Sequence, residues 1–172
     1  VRYGTSGVGN QPHLWAELLR ARLNMKMENV AYKGVADTLR DVLAGHVPII
    51  IDVVLPTGNH VAAGRLKGIC VASPERSSIC PTVPTVGELG MKDMESAVFY
   101  GLVAPAGVPR PIIDRLNGLV QEAIKDPAVV KKYSDLGFFM TGSTPEAYLE
   151  KLKFETVRWT KVVKDNGIKV ES

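Results

Sequence analysis

The chain has 172 residues, 45% of them hydrophobic and 23% charged, with a formal net charge of +3. That length is enough to bury a genuine core as one domain or two small lobes, and the composition is ordinary for a globular protein. The charge is spread along the sequence and gives no nucleic-acid signature. The most apolar run, Val47 to Leu55, contains Pro48 and Asp52 and is far too short to cross a bilayer.

Val1 to Tyr3 reads as the end of a strand, and it delivers the loop Gly4-Thr5-Ser6-Gly7-Val8-Gly9. No signal-peptide pattern precedes it, and an opening on Val1 is what a fragment or a processed chain is expected to show. Glycine allows positive φ and close approach of a ligand to the main chain. The amides at a helix start lack internal partners and lie at the positive end of the helix dipole. The loop is therefore expected to receive an anion, a carboxylate in particular, with Thr5 and Ser6 as extra donors. Three sharper motifs fail. The dinucleotide fingerprint meets Pro12 where its last glycine belongs, the nucleophile elbow meets Val8, and the phosphate loop lacks its Gly-Lys-Ser/Thr ending.

Pro12 suits the first turn of a helix striped by Leu14, Leu18 and Ala21. A strand at Glu28 to Tyr32 follows, ending in Lys33-Gly34. The next helix carries Val35, Leu39, Val42 and Leu43 on one face and stops at Gly45. Ile49-Ile50-Ile51 reads as a strand buried on both faces that places Asp52 at its carboxyl end. Repetition of strand, loop and helix predicts an α/β fold with a mostly parallel sheet.

Beyond it, a short helical stretch is expected near Asn59 to Gly64 and a buried strand around Ile69 to Ala72. Ser73 to Pro84 is rich in Ser and Pro and reads as loop. Cys70 and Cys80 read as two free thiols, with a disulfide as the alternative in an oxidising compartment. His13, His46 and His60 form no ligand spacing, so no metal is expected, and no cofactor. Ala97 to Val103 reads as a further strand before Pro105 and Pro109, with a lobe boundary near it. The remainder is helical: Ile113, Leu116, Val120 and Ile124 share a face, and Asp126-Pro127 starts a short helix. Thr144-Pro145 caps a long helix lined by Tyr148, Leu152, Thr156, Trp159 and Val163.

Several of these stretches together resemble the solute-binding proteins of tripartite tricarboxylate transporters, the Bug-type receptors. They are Tyr3 to Gly9 with His13-Leu14, Tyr32-Lys33-Gly34, Leu43 to His46 with Asp52, and Ala63 to Lys67. Pro81 to Val86 with Glu88-Leu89-Gly90, Tyr100 to Gly107, and Gly142 to Glu146 complete the set. The resemblance covers essentially the whole chain and implies a periplasmic-binding-protein-like clamp of type II, two α/β lobes around a small carboxylate. It implies that residues 1–100 are a nearly complete second lobe. It likewise implies that residues 101–172 are a crossover strand and C-terminal helices belonging to a partial first lobe, whose N-terminal part would be missing. It further implies a periplasmic, non-catalytic receptor that hands its ligand to membrane transporter subunits. Thr5, Ser6, Gly7, Val8 and Gly9 would receive the carboxylate, Tyr32, Lys33 and Gly34 would form a second wall, and Asp52 would face the same cleft. His13 is assigned a structural role. Two other functions compete: a serine hydrolase with Ser6 as nucleophile and His13 as base, and a ligand-free interaction module that borrowed the fold.

Overall fold

The computed structural model describes residues 1–168. Its sheet is parallel and three-stranded, with β1 (Arg2–Thr5) between β2 (Glu28–Ala31) and β3 (Ile49–Ile50). Helix α1 (Gln11–Arg22) joins β1 to β2, and α2 (Val35–Leu43) joins β2 to β3. Alternation along β1 assigns one face to each helix. Tyr3 turns to α1, where its hydroxyl donates to Glu17 Oε1 at 2.8 Å. Gly4 turns to α2, and a Cβ there would stand 2.7 Å from Thr38 Cγ2. Only glycine lets α2 approach the strand this closely.

The local signals explain the boundaries. Asn10 caps α1 by accepting from the His13 amide at 3.1 Å, with Pro12 in the first turn. Gly45 ends α2 at φ +78°, as its place in the sequence implied. Helix α3 (Val54–Ala62) starts well before the helical stretch expected near Asn59, because Pro56 falls in its first turn, where a missing N–H costs nothing. The third strand is shorter than expected and half-buried, being an edge strand among the described residues.

Two apolar clusters support this sheet. Trp15, Val86 and Met94 form one, joined by Ile51, Cys70 and Trp159, and Trp15 Nε1 donates to the Met94 carbonyl at 2.9 Å. Val71, Cys80 and Val83 form the other, joined by Val54 and Val61 of α3. The strand expected at Ile69 to Ala72 reduces to a single parallel bridge, Val71 with Thr85. Thr85 and Glu88 cap one another, the Thr85 amide on Glu88 Oε2 at 2.7 Å and the Glu88 amide on Thr85 Oγ1 at 3.1 Å. Both thiols are free, Cys80 buried and Cys70 half-buried, and burial raises both pKa values.

Two compact units divide the chain: Val1–Val98 with the residues from Trp159 onward, and Phe99–Arg158. The second unit holds α4 (Arg110–Ala123), α5 (Pro127–Asp135) and most of α6 (Pro145–Asp165). Thr144 caps α6 through the Ala147 amide at 3.1 Å, and Asp126 caps α5. Edge-on aromatic pairs, Phe99 with Tyr148 and Tyr100 with Phe138, tie the unit together. No described side chain from Phe99 to Arg158 is buried. The strand expected at Ala97 to Val103 does not form. A strand exists only by pairing with a neighbour, and these residues have no ladder partner among the described residues, where Tyr100, Leu102 and Val103 are exposed.

Candidate functional site

Parallel pairing brings the three strand ends to one edge. The register sets Thr5 beside Ala31 and Gly4 beside Ile50, so the chain leaves all three strands at nearly one level. The order β2-β1-β3 makes β1 the place where the connections diverge, leaving to one side and returning to the other. Ligands of open α/β sheets bind outside the carboxyl ends at such a point.

The glycine loop is braced there from two sides. Asp52, one residue beyond Ile51, accepts the Ser6 amide on Oδ2 at 3.1 Å and the Val53 amide on Oδ1 at 2.8 Å. His13, in the first turn of α1, accepts the Gly9 amide on Nδ1 at 3.0 Å. Gly9 has φ +77°, a conformation side-chain-bearing residues rarely take. Asn10 closes the frame, with its amide nitrogen donating to Ser6 Oγ at 3.0 Å. Thr5 is fully buried and its hydroxyl donates to Asn29 Oδ1 at 2.8 Å, so it braces the loop from beneath. The Gly7 and Val8 amides take no acceptor among the described residues.

On the β2 side, Tyr32 continues the ladder through its amide to the Thr5 carbonyl at 2.9 Å, and its hydroxyl donates to Asp41 Oδ2 at 3.0 Å. Lys33 is exposed and makes no ion pair among the described residues. Gly34 heads α2 without a side-chain cap. The strand ends thus bring the loop and Asp52 into direct hydrogen-bond contact, with Tyr32 bonded to Thr5 and Lys33 and Gly34 next along the chain.

Asn10, Asn29 and His13 carry more of the loop's geometry than the sequence reading assigned to them. Asn10 had a readable signal, an N-cap residue just before Pro12. Asn29 had none, since its bond to Thr5 spans 24 positions.

Burial lowers the His13 pKa below its ordinary value, against a smaller opposing pull from Glu17. Beneath the site, Tyr3 and Glu17 continue to Arg20, whose Nε donates to Glu17 Oε2 at 2.8 Å, and on to Asn166 Oδ1. Burial, then the bond to Glu17, raises the Tyr3 pKa far above its ordinary value, so the hydroxyl stays a donor. Among the described residues no His, Cys, Asp and Glu cluster could hold a metal, and no helix is long and apolar enough to cross a membrane.

The family model described as "Tripartite tricarboxylate transporter family receptor", TctC, matches residues 1–168. A Pseudomonas sp. (strain P51) relative, the UPF0065 protein in the tcbD-tcbE intergenic region, is 35% identical over 164 residues. The match takes in 95% of this chain and 49% of that protein. Among solved structures, one described as a periplasmic transporter superposes with a TM-score of 0.83 at 30% identity, over 99% of this chain and 57% of that one. The R. palustris protein Rpa4515, solved with adipate, superposes with a TM-score of 0.80 at 29% identity, over 98% and 56%. The chain spans about half the length of three curated relatives it matches, and its fold is the corresponding part of the two-lobed periplasmic-binding-protein architecture. The glycine loop at the sheet edge, the α/β order and these matches lead to one assignment: the chain belongs to the tripartite tricarboxylate transporter receptor family, TctC.

Proposed function

We propose that this chain is the ligand-holding part of a periplasmic receptor for a small organic carboxylate, delivered to a tripartite tricarboxylate-type membrane transporter. The observation that carries the reading is the braced loop. Its Ser6 and Gly9 amides are committed to Asp52 and His13, while Gly7 and Val8 keep theirs for a ligand. Two amides without an acceptor, with the Ser6 hydroxyl, would hold a carboxylate without a formal cation. Thr5 and Gly9 set the loop's shape, and Tyr32, Lys33 and Gly34 are its second wall. Asp52, with both oxygens on amides, leaves no place for a second carboxylate directly upon it, and it suits a ligand hydroxyl or amine.

In this reading residues 1–100 act as the second lobe of the clamp and residues 101–172 return to the first. Adipate on the R. palustris relative supports a dicarboxylate as ligand. This reading makes the role non-catalytic, and it is supported by His13 Nδ1 accepting from Gly9 rather than from Ser6, whose Oγ accepts from Asn10. Calorimetry against mono-, di- and tricarboxylates tests the proposal, with the intact mass of the native protein deciding which polypeptide to titrate. Binding lost on Val8→Pro, which removes an amide at a position without positive φ, is the expected result. The absence of binding to every acid in the panel overturns it.

A further inference from the structure

We propose that His13 is the positioning residue of the glycine loop, holding it through the Nδ1 lone pair and releasing it on taking up a proton. The inference rests on the carboxylate reading for its consequence, though not for its geometry. The Gly9 N–H points at Nδ1 from 3.0 Å, so that nitrogen carries no proton and the neutral ring has its proton on Nε2. An imidazolium would set an N–H against the Gly9 N–H, two donors facing one another.

Two features favour the neutral ring, and a third fixes its place. His13 is buried, 7% exposed. It lies in the first turn of α1, at the positive end of the helix dipole. Its own amide is taken by Asn10, which fixes the backbone carrying it. Glu17, one turn along α1, opposes them, but its carboxylate is shared between Tyr3 from β1 and Arg20. Asp52, the charged group that reaches the loop from the β3 end, is bonded to Ser6 and Val53 and not to His13. Proton uptake therefore frees the end of the loop at Gly9 while Asp52 still holds the end at Ser6. A cation beside an anion site ordinarily strengthens binding. Here the charge arrives only by breaking the bond that shapes the loop, so capture weakens as pH falls.

The first test needs no ligand. In histidine-labelled protein, 15N NMR from pH 8 to 5 is expected to show the Nε2–H tautomer, with a midpoint below the ordinary value of about 6.5. The Gly9 amide cross-peak is expected to move with the same midpoint. In His13→Gln, whose side-chain oxygen accepts from Gly9 without titrating, that cross-peak stays fixed. A His13 midpoint at or above the ordinary value, or a Gly9 resonance that ignores the titration, overturns the proposal. A binding arm uses adipate. Wild-type affinity should fall through the His13 midpoint by roughly two- to tenfold relative to His13→Gln, the weight of one hydrogen bond. Parallel pH profiles for the two proteins refute the link to capture. Should neither protein bind any carboxylate, the receptor reading fails while the NMR result still decides the role of His13.

Discussion

Removing one hydroxyl from the middle of the sheet gives the sharpest test of how the fold is held. Tyr3 is fully buried on the central strand, and its hydroxyl meets Glu17 Oε1 at 2.8 Å. The Glu17 side chain is 11% exposed, with its other oxygen on Arg20. Tyr3→Phe keeps the ring, so no cavity opens, but it leaves a buried carboxylate oxygen without its donor. A hydrogen bond to a charged group is worth about 1.5–3 kcal/mol, and Arg20 still compensates part of the charge, which gives a loss of about 2 kcal/mol. For a chain of this length that lowers the melting temperature by roughly 4–8 °C. Tryptophan fluorescence reports the right unit, since Trp15 and Trp159, the two tryptophans of the chain, both lie in the unit that contains the sheet. In a Glu17→Gln background the same substitution should cost only about 1 kcal/mol, the value for a neutral pair. A loss below about 0.5 kcal/mol, or an equal loss in both backgrounds, would refute the reasoning.

Three further outcomes follow from the same geometry. Gly4→Ala places a methyl 2.7 Å from Thr38 Cγ2 and 3.3 Å from the Tyr32 ring, and should cost about 1–3 kcal/mol in urea unfolding, partly restored by Thr38→Ser. Asn10→Ala removes the cap of α1 and should cost about 1 kcal/mol, whereas Asn10→Asp keeps the capping acceptor and loses only the donor to Ser6. The Arg76 guanidinium, followed by the Thr85 amide, pulls the Glu88 carboxyl down to about 2 from an ordinary 4.5. Its stabilising effect is thus complete above the ordinary value and lost as pH falls towards the folded one. Carboxyl 13C titration should show that low midpoint, and Arg76→Ala should raise it.

The sequence disclosed what short-range chemistry controls. Pro12, Gly45 and Thr144-Pro145 announce helix ends because caps and positive φ act within a turn or two, and the α/β order follows from them. Ala97 to Val103 looks like a strand and forms none because pairing, unlike apolarity, belongs to two segments at once. The start of α3 is unmarked in the sequence because Val53 offers no capping side chain. At the site, the glycine loop was visible as a pattern, and so was the arrival of Asp52 at a strand end. The direction of each hydrogen bond was not: Thr5 reaches Asn29 across 24 positions and Asp52 reaches Ser6 across 46. Such bonds are products of the packed sheet.

The absence of buried side chains between Phe99 and Arg158 has a consequence for how the chain breathes. A helix shielded by a packed face exchanges its amide hydrogens only when the whole body opens, whereas one whose apolar face is only half-covered, as at Ile113 and Val120 of α4 in this chain, opens a turn at a time. Amides of α4 and α5 should therefore exchange with deuterium through local fraying, at rates barely altered by substitutions such as Tyr3→Phe, while those of β1 and α1 should speed up in step with the loss of stability. In this chain taken by itself, exchange should therefore keep two clocks, only one of them set by the sheet.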